Sequence, residues 1–297
     1  MTGSTADLRA RRRAGLLLAA PAALLLALLL FLPSSGVLVL SLTDYRFGMP
    51  GASWIGLENY ARMLADDRIR QSLGNTALYA AIVAPVSILL ALWLAVLIEA
   101  TGRLGGFFRT VFFLPVTATL VAMATAWEVV LHPSFGMVNV ALAASGLEKE
   151  RFLSDPSLAL YTLAFIGVWK MVGYNVLLFV AGLSTIPKDL YEAAAIDGAD
   201  RGWSRFAMVT WPMLAPVTLF VTVITLIRTV SEFETIAVLT NGGPNGATEM
   251  VLYTLYQEAF RYFDIGLASA LAVCFLGIVA GASILNIVLF DRRSRHG

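Results

Sequence analysis

Residues 76–98 read TALYAAIVAPVSILLALWLAVLI, an apolar run that contains no charged side chain. An α-helix rises about 1.5 Å per residue, so about 20 apolar residues cross the ~30 Å hydrocarbon core of a bilayer. In the whole chain, 58% of the residues are hydrophobic and 14% are charged. Soluble globular domains are about half apolar and about a quarter charged. The sequence therefore predicts an integral membrane protein.

Six segments in all satisfy this length rule, and they predict an all-α membrane protein in which residues 1–297 form a single domain. The predicted spans are 15–40, 76–98, 110–130, 158–183, 212–230 and 265–290. A cleaved signal peptide is an alternative for the first segment. Its apolar run is longer than a secretory signal and has no clear cleavage site, so we expect it to be retained.

The distribution of basic residues predicts which side of the membrane each loop occupies. The N-terminal tail is rich in arginine, and the C-terminal tail carries Arg292, Arg293 and Arg295. With six spans, both tails and the loop after the fourth span lie on the same side. Cytoplasmic loops carry the excess of Lys and Arg. We therefore expect both termini in the cytoplasm.

The loop after the fourth span reads IPKDLYEAAAIDGAD over residues 186–200. Pro187 suits the first turn of a helix, where a missing N–H costs nothing, and Asp189 places negative charge at the positive end of the helix dipole. The alanines favour a helix, and Gly198 permits a left-handed cap after it. The pattern predicts a short helix, a glycine stop and a second short helix, forming an elbow between two spans.

Glu192-Ala193-Ala194 followed by Gly198 resembles the "EAA" loop in permease subunits of ATP-binding-cassette (ABC) importers. The resemblance implies that loop 184–211 is a coupling helix that docks on a separate ATPase subunit. It also implies a set of residues that hold the docking geometry, namely Glu192, Ala193, Ala194, Asp197 and Gly198. An alanine-rich connecting helix without a partner is the alternative interpretation.

Other stretches extend the resemblance over almost the whole chain, including VWKMVGYN at 168–175, LTNGGP at 239–244 and FRYFD at 260–264. They are similar to the MalF/UgpA-like permeases of sugar and glycerol-3-phosphate importers. The resemblance implies a type I importer (MetI-like) permease fold in the bacterial inner (plasma) membrane. The implied cargo is glycerol-3-phosphate, a glycerophosphodiester or a sugar.

The same resemblance implies the composition of the complex. The partners would be a second homologous permease, two ATPase subunits and an extracytoplasmic substrate-binding protein. This chain would be non-catalytic and would bind no cofactor, since ATP and Mg belong to the ATPase subunits. The chain itself contains no G-x-x-x-x-G-K-[ST] phosphate-binding motif.

Polar and charged residues near the fourth and fifth spans are candidates for the translocation path, because ionisable groups inside a membrane are costly. Sugars need hydrogen-bonding groups and an aromatic face, and a phosphate needs positive charge. The alternative is structural, with Lys170 paired to a carboxylate and Arg228 extended to the membrane surface. The candidate path residues are Lys170, Tyr174, Asn175, Arg228, Ser231 and Glu232.

Other classes of function fit the sequence less well. An ion-coupled secondary transporter would need no docking loop, and nothing in the sequence looks like the selectivity filter of a channel. An intramembrane serine protease needs a base beside its nucleophile, whereas neither His132 nor His296 lies within a predicted span. The single cysteine and two separated histidines predict no metal site, and a net charge of +1 predicts no nucleic-acid partner.

Overall fold

The computed structural model describes residues 5–294, so Arg295 and His296 lie outside the described residues. A 3-10 turn (Gly102–Leu104) precedes α5, and π-helical segments join α1 to α2 (Ala27–Phe31) and α10 to α11 (Phe206–Thr210). In chain order, the α-helices are α1 (Thr5–Leu26), α2 (Leu32–Leu40), α3 (Glu58–Ala65), α4 (Asp67–Ala100), α5 (Gly105–Thr117), α6 (Leu120–Val130), α7 (Met137–Ala144), α8 (Ala159–Ser184), α9 (Lys188–Ile196), α10 (Gly202–Arg205), α11 (Trp211–Val230), α12 (Glu234–Leu239), α13 (Val251–Phe260) and α14 (Ile265–Ser294).

Within the described residues, five segments are long and apolar enough to cross a membrane, and a sixth candidate consists of two helices that meet at 98°. The bent pair is Gly105–Thr117 with Val121–Val130. The predicted all-α membrane fold is confirmed, and the third span differs from the continuous helix expected. The five other segments are Ala14–Leu40, Asp67–Ala100, Ala159–Ser184, Gly202–Leu239 and Ile265–Ile284.

The chain divides into two compact units, and the expected single domain stays a prediction. The first unit comprises residues up to Ala65 together with Leu255–Cys274. Its polar centre is the buried Asp264, whose Oδ2 lies 2.9 Å from a guanidinium nitrogen of Arg62 and 3.2 Å from one of Arg46. The pairing offsets the cost of burying this carboxylate. Side chains from position 14 to position 35 are exposed in the single chain, as suits a lipid-facing span.

In the second unit, which comprises Asp66–Thr254 and residues from Phe275 onward, helix α8 packs against α4, α5 and α11. Two contacts show the relative direction of α4 and α8. Tyr79 lies against Gly167, and further along both helices Ser87 is hydrogen-bonded to Asn175. The two helices therefore run parallel. The contact of Gly182 with Val217 and that of Asn175 with Thr225 show that α11 runs antiparallel to α8.

The parallel arrangement of α4 and α8 shows that the bent α5–α6 pair makes one membrane crossing. The end of α4 and the start of α8 lie at opposite ends of the helix bundle, so the chain between Ala100 and Ala159 must cross once. The α5–α6 pair supplies that crossing. Consequently, the loop between α8 and α11 lies at the same end of the bundle as Ala100.

Two local boundaries differ from the sequence expectation. The second span is expected to begin at residue 76, but α4 begins at Asp67, because the Asp66 side chain caps it by accepting from the N–H groups of Arg68 and Ile69. The third span bends because Ala118 and Thr119 are extended, with ψ of 138° and 143°. Residues in this conformation cannot continue a helix.

Candidate functional site

The loop after α8 forms the expected short helix, α9, with clear start and stop signals. Pro187 precedes α9, and Asp189 lies in its first turn. At its end, the N–H of Gly198 donates to the carbonyl of Ala195 (3.2 Å), and the N–H of Ala199 donates to that of Ala194 (2.8 Å). This pair of bonds is a Schellman cap, and Gly198 takes the left-handed φ of 84° that the cap requires.

The two faces of α9 differ in their surroundings. Ala194 and Ala199 are buried in one apolar cluster with Leu183, Ile186 and Val209, so the helix is anchored to the ends of its neighbouring spans. The other residues of the expected coupling set are exposed, namely Glu192, Ala193, Asp197 and Gly198. At this end of the bundle, α9 is therefore buried on one side and exposed on the other.

A second contact, not expected from the sequence, ties α9 to the start of the fifth span. The guanidinium carbon of Arg205 lies 4.1 Å from the centre of the Tyr191 ring, which is cation–π geometry. The Tyr191 hydroxyl lies 3.4 Å from Oγ1 of Thr210 in the π-helical segment before α11. Both contacts join α9 to the residues that directly precede α11.

Five of the six expected path residues lie near one another, where the end of α11 meets the middle of α8. Nζ of Lys170 is 3.9 Å from Oε2 of Glu232, and the guanidinium carbon of Arg228 is 4.3 Å from the centre of the Tyr174 ring. Glu232 also accepts hydrogen bonds from the N–H and the hydroxyl of Thr235. Ser231, half-buried, lies between Arg228 and Glu232 in the break that follows α11.

Asn175 occupies a different environment from the other five. Its side chain is fully buried, donates to Oγ of Ser87 (3.3 Å) and accepts from Oγ1 of Thr225 (2.9 Å). These bonds join α4, α8 and α11. The structure therefore places Asn175 between helices, where satisfied polar groups fix their register. The sequence signal for its partner was the threonine series on α11, at positions 218, 222, 225 and 229.

At the opposite end of the bundle, a polar cluster holds the segment before α13, and the sequence did not point to it. Asn75 donates to the carbonyls of Gly246 and Glu249. Burial raises the pKa of Glu249, while the Arg68 guanidinium at 3.7 Å and the Thr254 hydroxyl lower it. Nearby in sequence to this segment, the 239–244 turn contributes to a cleft of about 540 Å³ lined by Glu128, Leu131, His132, Pro133, Leu153, Ser154, Leu239, Thr240, Gly243 and Pro244.

No group of three or more potential metal ligands occurs among residues 5–294. His132 stacks on Phe135 with a ring-centre distance of 3.7 Å, and its Nδ1 accepts from the N–H of Ser134. The ring therefore has a local structural role.

The sequence profile of the family described as "Binding-protein-dependent transport system inner membrane component" matches residues 87–296. The chain belongs to this family. Its relatives include the sn-glycerol-3-phosphate transport system permease protein UgpA of Agrobacterium fabrum, 33% identical over 283 residues, which are 95% of this chain and 96% of the relative. The probable ABC transporter permease protein YurN of Bacillus subtilis is 33% identical over 90% of this chain and 93% of its own length.

Among solved structures, the fold is similar to a chain of the bacterial ABC transporter that imports the acidic polysaccharide alginate. The TM-score is 0.82 at 22% identity, covering 96% of this chain and 98% of the other. A structure of a bacterial alginate ABC transporter with its pentasaccharide-bound periplasmic protein matches with a TM-score of 0.80 at 21% identity, covering 97% and 96%. The expected type I importer permease fold is confirmed.

Family membership confirms several sequence predictions. The permease is a multi-pass inner-membrane subunit of an ABC importer, and UgpA permeases are among its relatives. Permease subunits of this kind are non-catalytic, and a partner ATPase hydrolyses ATP.

Proposed function

We propose that this permease translocates glycerol-3-phosphate, a glycerophosphodiester or a sugar, delivered by an extracytoplasmic binding protein, and that α9 docks on a separate ATPase subunit. A second homologous permease completes the path, and two ATPase subunits bind ATP and Mg. Closure of the ATPase pair moves α9, and the contacts of Tyr191 carry that movement into α11. This chain holds no cofactor.

The observation that carries the docking proposal is the division of α9 into an anchored and an exposed face. Ala194 is 6% exposed and Ala199, just after the helix, is 2% exposed, so displacement of α9 from its neighbouring spans would expose apolar surface. Glu192 and Asp197 on the exposed face have no ion-pair partner among the residues that the structure describes. A helix that is rigidly attached on one side and open on the other can transmit a displacement.

The choice of cargo is supported by the relatives and by the path residues. The Agrobacterium relative is named for sn-glycerol-3-phosphate, and the structurally similar transporter imports an acidic polysaccharide. The path in this chain offers an aromatic ring and hydroxyls, which suit a sugar or polyol. It also offers cationic groups, which suit a phosphate.

Replacement of Glu192 by lysine tests the docking role. A lysine would be repelled by an ATPase surface that is complementary to the Glu192 carboxylate. We therefore expect ATP-driven uptake into vesicles to fall at least tenfold. The amount of permease in the membrane should be unchanged. Glu148→Lys is the matched control, since Glu148 is also exposed and lies in another loop. Normal uptake by Glu192→Lys would contradict the docking role.

Dependence on the ATPase separates an ABC importer from an ion-coupled transporter. We expect no uptake when the ATPase subunits are omitted and no loss of uptake when the proton and sodium gradients are collapsed in the presence of ATP. The opposite pattern would favour the secondary transporter.

A further inference from the structure

The fifth span is interrupted beside the middle of the fourth. Residues from Gly202 to Leu239 are apolar enough to count as one span, yet α11 ends at Val230 and α12 begins at Glu234. The residues in the interruption lie near Lys170, which is close to the centre of the 26-residue α8. Charged groups therefore lie near the mid-length of α8, away from the ends of the bundle, where ionisable groups are costly and often functional.

Three charged side chains meet at this interruption, namely Lys170, Glu232 and Arg228, and their charges do not cancel. Lys170 is paired with Glu232, and Glu232 has its other oxygen occupied by two hydrogen bonds from Thr235. This acid and this base neutralise one another. Arg228 has no carboxylate within ion-pair distance among the side chains that the structure describes, so Lys170, Glu232 and Arg228 together carry a net charge of +1. The nearby Glu234, at the start of α12, is exposed.

Arg228 is held in place without being neutralised. Its guanidinium stacks over the Tyr174 ring at 4.3 Å, and the side chain remains exposed in the single chain. This cation–π contact stabilises the position of the guanidinium without using its charge in an ion pair. A planar guanidinium with free edge donors matches the paired oxygens of a phosphate or a carboxylate.

From this arrangement we propose that Arg228, positioned by Tyr174, is the anion-selecting contact of the path, and that the cargo carries a phosphate or carboxylate group. Lys170 and Glu232 act as a structural pair that maintains the interruption, and Asn175 fixes the helices behind it. This inference rests on the proposed function, since it assumes that cargo passes this face of the permease.

The local electrostatic potential can be measured with a single cysteine beside Arg228. In the assembled transporter, the permease carries Ser231→Cys together with Cys274→Ser, and Val230→Cys serves as a second reporter if the first variant assembles poorly. The probes are the anionic sulfonatoethyl methanethiosulfonate and the cationic trimethylammonioethyl methanethiosulfonate. The ratio of their reaction rates, divided by the ratio for a free thiol, reports the sign of the potential.

We expect the anionic reagent to be favoured. Arg228→Gln should lower the normalised ratio about threefold or more, because it removes a unit charge a few ångströms away, whereas Arg228→Lys should retain most of it. A ratio that does not respond to Arg228→Gln would overturn the proposal. Failure of both reporters to react with either reagent would also overturn it, since the site would not be open to water.

A second arm tests the cargo class with defined compounds. sn-Glycerol 3-phosphate and D-glucuronate should slow cysteine labelling, while glycerol and D-glucose at the same concentrations should not. Phosphate and carboxylate are distinguished by which of the two anions protects more strongly. Arg228→Gln should abolish protection by the anions. Equal protection by the neutral compounds would overturn the proposal.

The labelling rates require no ATP hydrolysis, so this experiment can fail while ATPase-dependent uptake stands. Conversely, loss of ATPase dependence with intact anion protection would contradict the importer mechanism and leave the charge assignment in place. The two results are thus distinguishable.

Discussion

At the scale of single residues, Gly198 shows how backbone conformation alone can decide the shape of the loop between α8 and α11. A Cβ at this position would meet nothing within 4 Å, so space is not the constraint. The constraint is its φ of 84°, which side chains other than those of Asn and Asp rarely adopt. The glycine therefore maintains both the Schellman cap and the burial of Ala199.

Replacement of Gly198 by alanine should cost about 1 kcal/mol in stability of the cap. We expect a lower uptake per ATP hydrolysed in the purified transporter, because α9 is less firmly fixed. Gly198→Asn should retain more coupling, since asparagine tolerates the left-handed region. An equal loss for both variants would show that something other than φ is required at this position.

At the scale of elements, close approach of α5 to α8 sets the packing of the third and fourth spans. A Cβ built on Gly173 would lie 2.1 Å from the backbone carbonyl oxygen of Phe112. Small residues at such crossings allow two backbones to come together in a membrane. The carbonyl belongs to the main chain of α5, so relief would require a shift of that helix.

Replacement of Gly173 by alanine should therefore separate α5 from α8 and lower thermal stability. We expect a loss of about 1–3 kcal/mol, the usual range for overpacking, measured as a fall in the denaturation temperature of the detergent-solubilised transporter. Gly74→Ala is the control, because a Cβ there meets nothing within 4 Å. Equal denaturation temperatures for the two variants would contradict the close approach.

The sequence was informative about elements to different degrees. Apolar runs located the spans because lipid imposes a length on them, and Pro187 with Gly198 located α9 because its caps are local. The sequence offered a carboxylate partner for Lys170 as an alternative, but neither the identity of that partner, Glu232, nor the bend at Ala118 could be predicted, since neither has a local signature. The sequence predicted Tyr174 and Asn175 alike as path residues, but only packing shows that Asn175 is enclosed by α4 and α11.

At the scale of the whole molecule, the arrangement of α4, α8 and α11 places the coupling loop at one end of the bundle. The cytoplasmic location of this end stays a prediction based on the positive-inside rule. The chain has one native cysteine, Cys274, which is half-buried in an apolar helix. A Cys274→Ser background is therefore suited to single-cysteine mapping.

On that background, we expect Lys188→Cys to react with a membrane-impermeant maleimide only in inside-out vesicles. Lys149→Cys should react only in right-side-out vesicles, since its loop lies beyond one further crossing. Both residues are exposed in the single chain. The reverse pattern would show that the permease has the opposite orientation in the membrane. In that orientation, α9 could not contact a cytoplasmic ATPase.

The bend in the third span has a consequence for the membrane itself. Where α5 stops and α6 starts, terminal carbonyl and N–H groups lack partners within either helix. Hydrocarbon offers them none, and Ala118 and Thr119 are exposed in the single chain. Water, or polar atoms of a neighbouring subunit, must solvate this backbone partway across the bilayer. Where water does so, the low-dielectric layer is thinner beside this permease, and a polar cargo has a shorter insulating barrier to cross.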